Sequence, residues 1–143
     1  MISYSSLPNK LISAPNGVDF AYRDTGDGEG GVPLVLFQHF RGNLDNWDPA
    51  LIDALAPSGA IRRGLRVGDP RPCKLQRLSA IDMPVFVANG DSDPMILPHY
   101  SYLLAGLIPQ ARVKIYPDAA HGFLFQHHAE FAADVEAFLS DPR

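Results

Sequence analysis

The sequence predicts an α/β protein, a three-layer sandwich in which helices cover a mostly parallel sheet of about five strands. Three observations favour this class. Two continuous apolar runs, 32–37 and 84–88, end at turn residues, as strands buried on both faces do. A helical spacing of apolar residues then covers 95–108. Residues 112–116 alternate polar with apolar side chains as a second strand, so strand, helix and strand form one right-handed crossover unit.

The crossover unit brings two polar loops to one edge of the predicted sheet. Its first strand runs into Gly90-Asp91-Ser92-Asp93, and its second strand is followed by a loop that contains His121. Open α/β sheets bind ligands at the carboxyl ends of their strands, so we expect Asp93 and His121 to meet there. A single Asp or His in a turn is more often a loop cap, but the pair at neighbouring strand ends favours a catalytic acid and base.

These residues resemble the last third of an α/β-hydrolase, and the predicted fold is then a truncated α/β-hydrolase-like sandwich. That family ends a late strand with G-x-x-D and carries its histidine after the next strand. The resemblance implies that Asp93 is the triad acid and His121 the triad base. In such a triad the carboxylate orients the imidazole, which takes a proton from the nucleophile. The likeness covers residues 18–55 and 78–139.

The N-terminal half shows a hairpin and then a loop with a possible oxyanion donor. Asn16-Gly17 is a strong two-residue turn signal. After the run 32–37, the loop His39-Phe40-Arg41-Gly42 resembles the family's H-G-x-x-G, with Phe40 in place of the usual glycine. The resemblance implies that the backbone N–H of Phe40 stabilises an oxyanion, a donor worth about 3 kcal/mol of barrier. His39 is interpreted as structural, and Arg41 as solvated or as a contact for an anionic substrate group.

Two further helices are predicted to close the core. Asp45 or Asn46 is expected to cap a helix that ends near Leu55. The final helix is predicted over 129–139. The side chains expected to face inward from these helices are Trp47, Leu51, Ile52, Leu55, Phe131, Val135 and Phe138, and Phe123, Leu124 and Phe125 are expected to pack under the last helix.

The family pattern fails in the middle of the chain. We expect a single domain over 1–143, with hydrolase-like halves 1–55 and 81–143. Segment 56–80 joins them and holds six of the chain's 12 basic residues but one acid, Asp69. It has neither the nucleophile elbow G-x-S-x-G nor a lid, and its prolines and glycines predict an irregular basic connector.

An acid and a base without a nucleophile cannot run the two-step acyl transfer of a serine hydrolase. Two surrogates are open. Ser92 lies in the loop that carries Asp93, called the acid loop below, but it lacks a glycine two residues later. Cys73 lies in the connector. The direct route is for His121, oriented by Asp93, to activate water, since about a thousandfold catalysis over water can survive the loss of a triad member.

A metal site is a separate hypothesis, and the pattern does not favour it. The side chains of His39, Asp91, Asp93 and His121 are suitable ligand types, but they show no motif spacing. We therefore expect no metal and no cofactor.

Composition excludes several other classes. The chain has 46% hydrophobic and 20% charged residues and no apolar run of membrane-spanning length. A net charge of −4 argues against a nucleic-acid partner. The first ten residues lack the basic start and apolar centre of a secretion signal. With one cysteine and no internal disulfide, the chain suits a reducing compartment, and we expect a cytoplasmic protein with no membrane partner.

The missing central segment leaves strand 33–37 without its family neighbours. It can pair with 84–88, which gives a small sheet and a shallow pocket, or a second copy can supply the edge, so a homo-oligomer is favoured. Two functions stay open. One is a truncated, esterase-like hydrolase of small esters with weak or lost activity. The other is a non-catalytic scaffold that binds a small apolar ligand or itself.

Overall fold

The computed structural model describes residues 3–25, 34–36, 43–56 and 75–141. The chain divides into two compact units, Met1–Gly68 and Asp69–Arg143. The boundary between them falls within segment 56–80. Several predictions concern residues outside the described ranges: the roles of His39, Phe40, Arg41 and Cys73, most of the connector and much of the apolar run 32–37.

The first unit contains an antiparallel hairpin. Strands β1 (Lys10–Ser13) and β2 (Asp19–Tyr22) pair from Lys10 opposite Tyr22 to Ser13 opposite Asp19. The N–H of Gly17 donates to the carbonyl of Ala14, and Gly17 has a φ of 81°, in the left-handed region. The predicted hairpin is confirmed, but its connection is longer than two residues, because a turn that starts at Ala14 precedes the left-handed glycine.

The cap predicted for the first helix is wrong by two or three positions. Helix α1 spans Pro49–Leu55, and the carboxylate of Asp48 accepts a hydrogen bond from the N–H of Ala50 at 3.0 Å. Pro49 lacks an N–H and suits the first helical position, which moves the start of the helix past Asn46. Leu44–Asn46 forms a separate 3₁₀ turn, η2, capped by Asn43.

The buried face of α1 is the predicted one. Leu51, Ile52 and Leu55 are buried, and α1 packs against a 3₁₀ turn, η1 (Tyr4–Ser6). Tyr4 is itself buried, and its N–H donates to Oδ1 of Asp53 at 2.7 Å. The chain start is thus held to α1 by apolar burial and by a hydrogen bond to a carboxylate.

The second unit contains the predicted crossover. A 3₁₀ helix η3 (Leu75–Ala80), which takes up the end of the segment predicted to be irregular, precedes strand β3 (Val85–Gly90), helix α2 (Pro98–Leu107) and strand β4 (Ala111–Tyr116). The two strands are parallel, from Val85 beside Ala111 to Gly90 beside Tyr116. A short helix α3 (Phe123–Gln126) and the longer α4 (His128–Ser140) end the chain.

Strand number is lower than predicted in the described residues. They contain four strands, one antiparallel pair and one parallel pair, where about five mostly parallel strands were expected. The α/β class is confirmed, with helices beside a small parallel sheet. In the described ranges no helix combines the length and apolarity needed to cross a membrane.

Aromatic side chains join α4 to the sheet. The ring of Phe86 on β3 stacks on Phe138 with 5.6 Å between ring centroids and on Phe131 with 6.3 Å. Phe123 is buried, and its ring stacks on that of Tyr116, in agreement with the prediction that Phe123 packs under the last helix. Phe125 is the exception, since 55% of it is exposed to solvent.

The apolar face predicted for α2 is largely exposed, which corrects the sequence interpretation. The helix begins at Pro98, three residues later than expected. The buried residue within α2 is Ser101, and Ile108, just after the helix, is also buried. The predicted core residues that lie exposed are Ile96, Tyr100, Leu103 and Leu104.

Gly90 is required by a close approach between the two loops at the sheet edge. A Cβ atom at this position would overlap the carbonyl oxygens of Ala119 and Ala120, which are backbone atoms with little freedom to move. We expect Gly90→Ala to lower the free energy of unfolding by about 1–3 kcal/mol, the usual cost of overpacking.

Gly106 provides the matched control. It lies in α2, and a Cβ there meets nothing within 4 Å. Gly106→Ala should raise the free energy of unfolding by about 0.5–1 kcal/mol, because alanine loses less entropy in a helix. Urea denaturation of both variants checks this, and equal effects would contradict the close approach.

Candidate active site

Asp93 is the most constrained residue of the site. Its side chain is buried, with 1% of its surface exposed. Oδ1 accepts hydrogen bonds from the N–H groups of Met95 at 2.8 Å and Ile96 at 3.0 Å. Oδ2 lies 2.8 Å from Nδ1 of His121. The carboxylate therefore organises its own loop through Oδ1 and contacts the second loop through Oδ2.

Hydrogen bonding keeps this buried carboxyl group ionised. Burial by itself raises the pKa of Asp93, but hydrogen bonds from the Ile96 N–H, the His121 ring and the Met95 N–H outweigh it, and the pKa is lowered from its usual value. An ionised carboxylate can only accept, so Nδ1 of His121 carries the proton in this contact. In the neutral imidazole, Nε2 then has the free lone pair.

His121 has the opposite exposure to its partner. It lies in the loop after β4, and 49% of its side chain is exposed. No hydrogen-bond partner of its Nε2 is found within the ranges 3–25, 34–36, 43–56 and 75–141. An imidazole fixed at Nδ1 and open at Nε2 has the arrangement of a general base, which must reach the proton it removes.

Asn89 stabilises the acid loop from the end of the preceding strand, a role that the sequence analysis does not predict. It is buried at the end of β3, and its Nδ2 donates to the carbonyl of Ile96 at 2.8 Å. Its Oδ1 accepts from the N–H of Gly90 at 2.9 Å. The sequence does contain a signal for this role, because Asn89 is a polar residue at the end of an apolar run, just before the loop.

Asp91 connects the acid loop to the loop that carries His121, called the histidine loop below. Its Oδ2 accepts from the N–H of Asp118 at 3.1 Å, and its Oδ1 accepts from the N–H of Ala119 at 3.3 Å. The Ser92 hydroxyl and then the Asp118 N–H contribute most to a lowered pKa of Asp91. Asp118 adopts a φ of 52°, a left-handed conformation that aspartate tolerates better than most residues.

The histidine loop also rests on α4. The hydroxyl of buried Tyr116 donates to Oδ2 of Asp134 at 2.7 Å, and burial together with this bond raises the pKa of the phenol. Lys114 pairs with Asp134 at 3.0 Å. One ring nitrogen of His127 lies 3.0 Å from the carbonyl of Pro117. These contacts fix both ends of the segment that carries His121. No sequence motif predicts them.

Ser92 is the other predicted site residue that lies in the described ranges. The hydroxyl of Ser92 donates to Oδ1 of Asp91 at 2.8 Å. Phe40 and Cys73 lie outside the described residues, so their roles stay predictions. Among the described residues, no three histidine, cysteine, aspartate or glutamate side chains are grouped to hold a metal ion.

Comparisons with known proteins agree with the geometry. Residues 35–128 match a family model described as alpha/beta hydrolase fold. An alpha/beta hydrolase fold protein from Chitinophaga pinensis has a similar structure, with a TM-score of 0.79 at 18% sequence identity, and the match covers 98% of this chain and 100% of that chain. This structural likeness shows the fold.

Acid should destabilise the protein through Asp93. Its pKa is lower when folded than in an unfolded chain, where it is about 3.9. Between the two values the unfolded state binds more protons, so the stabilisation is complete above pH 4 to 5 and is lost as the pH falls through the folded pKa.

Asp93→Asn should therefore flatten the rise of unfolding free energy with pH in this window and lower stability at neutral pH. Exposed Asp82→Asn is the control and should keep the wild-type slope. Urea denaturation at several pH values measures both, and an unchanged slope in Asp93→Asn would refute the expectation.

Proposed function

Because the chain belongs to the α/β-hydrolase fold family, we propose that it hydrolyses small esters, with His121 as general base and Asp93 as its orienting acid. The observation that carries the proposal is the 2.8 Å contact between Oδ2 of Asp93 and Nδ1 of His121. The burial of the acid and the exposure of the base support the same assignment of roles.

The proposed reaction is direct attack by water. Nε2 of His121 takes a proton from a water molecule as its oxygen adds to the ester carbonyl carbon. Asp93 stabilises the imidazolium that forms, without taking the proton itself. The tetrahedral intermediate then expels the alcohol, which receives its proton from Nε2, and the carboxylic acid leaves. The Phe40 N–H is proposed as the donor to the oxyanion.

Turnover by this route is expected to be slow. The 143 residues contain no G-x-S-x-G, so the reaction forgoes the covalent acyl-enzyme that divides the difficult step in two. Ser92 is the alternative nucleophile nearest to Asp93 in the sequence. Its hydroxyl donates to the Asp91 carboxylate, and that contact favours water as the attacking group. Esters with good leaving groups, such as p-nitrophenyl esters, are the substrates of choice.

Removal of the base tests the proposal. His121→Ala should reduce the enzymatic rate of p-nitrophenyl butyrate hydrolysis by about a hundredfold, within the usual contribution of a general base. His99→Ala is the matched control, because His99 is exposed on α2 and its ring contacts the neighbouring Tyr100 rather than the acid–base pair. Equal hydrolysis by the wild type, both variants and a blank would defeat the esterase assignment.

A second function, self-association of a non-catalytic scaffold, is favoured by a specific surface. The segment 94–110 contains no Asp, Glu, Lys or Arg, and its exposed apolar residues include Met95 at 73%, Tyr102 at 58% and Leu103 at 48%. A charge-free apolar surface of this kind suits a protein partner. A second copy would meet no like charge across it, so we propose a symmetric dimer through α2.

A charge placed in this surface tests self-association. Leu103→Glu should convert the dimer to a monomer, because a buried carboxylate facing its own copy is strongly unfavourable. Leu11→Glu is the control, since Leu11 is 71% exposed on the hairpin of the other unit. Sedimentation velocity measures the mass, and a monomeric wild type would rule out this second function.

A further inference from the structure

We infer that Asp91 is a positioning residue that holds the loop of His121 against the loop of Asp93. The inference deepens the proposed function, because it explains what keeps the acid and the base within hydrogen-bonding distance. Sequence patterns favour no such role for Asp91, whose neighbour Asp93 matches the triad acid.

The bonds between the two loops centre on Asp91. Its carboxylate accepts the N–H groups of Asp118 and Ala119 at 3.1 and 3.3 Å. Its own N–H donates to the carbonyl of Tyr116 at 3.0 Å. The adjacent Ser92 N–H donates to the carbonyl of Ala119 at 2.9 Å. The acid loop is thereby attached along the chain from the end of β4 to a point two residues before His121.

The backbone around these bonds leaves little room for another arrangement. Gly90 approaches the carbonyls of Ala119 and Ala120 too closely for any side chain. The left-handed φ of Asp118 turns the chain so that successive N–H groups face one carboxylate. Because Asp118 and Ala119 both donate to Asp91, the loss of that acceptor leaves two N–H groups of the turn before His121 without this partner.

A carboxylate matters here more than a neutral acceptor. Two separate oxygens each accept one backbone N–H, and a negatively charged acceptor binds such donors more strongly than a neutral one. An asparagine keeps one accepting oxygen but presents an NH₂ group to the other backbone donor. We therefore expect a graded loss of positioning, with Asp91→Asn between the wild type and Asp91→Ala.

The test combines a direct view of the imidazole with kinetics. In proton NMR spectra at low temperature, the wild type should show a downfield Nδ1–H signal from His121, assigned by its absence in His121→Ala. Asp91→Ala should broaden or remove this signal and lower kcat for p-nitrophenyl butyrate about tenfold to a hundredfold, since small misplacements of reacting groups carry penalties of this size. KM should change less than twofold, and Asp91→Asn should be intermediate. Asp82→Asn removes the same charge from an exposed site away from the loops and should match the wild type in both measurements.

The outcomes separate the two proposals. A wild type without esterase activity whose Nδ1–H signal still depends on Asp91 overturns the proposed function and retains the positioning role. An intact Nδ1–H signal in folded Asp91→Ala overturns the positioning role, whatever the activity. If Asp91→Ala fails to fold, Asp91→Asn decides, and wild-type signal and kcat in that variant overturn the inference.

Discussion

The second unit depends on one buried negative charge. A carboxylate as completely enclosed as Asp93 would be unstable without partners, because its desolvation costs far more than an ordinary hydrogen bond returns. Three N–H donors compensate, two from the backbone of its own loop and one from the histidine ring. The same bonds agree with the late start of helix α2, because the N–H groups of Met95 and Ile96 bind Asp93 and the helix begins only at Pro98.

The strand that ends at Gly90 gives this arrangement its fixed base. Beneath it, Phe86 is stacked between rings of α4, and at its end Asn89 secures the acid loop. The partner strand is secured in a different way, by the paired charges of Lys114 and Asp134 and the buried hydroxyl of Tyr116. The packing of Phe86 and the hydrogen bonds of Asn89 therefore support one loop, and contacts with Asp134 support the strand that leads to the other.

The crossover and the meeting of Asp93 with His121 were predictable, because parallel strands must bring their carboxyl ends to the same edge. The supporting contacts were less accessible. Asp91 and Asp118 are both loop aspartates, and nothing in the sequence distinguishes their roles. Those roles depend on a turn geometry that no local pattern encodes. The exposed face of α2 was predicted as core, since periodicity identifies an apolar stripe but cannot say which neighbour covers it. The cap at Asp48 has a signal in the sequence, since Pro49 favours the first helical position and places the cap one residue before it.

The separation of Asp93 and His121 along the chain is only 28 residues. The hydrogen bonds that join the two loops directly lie between residues 91 and 121, so the loop-closure entropy for forming the pair is that of a short segment. The acid, the base and Asp91 are therefore encoded within one continuous stretch, 89–121, so a substitution elsewhere in the chain leaves the sequence of both loops unchanged.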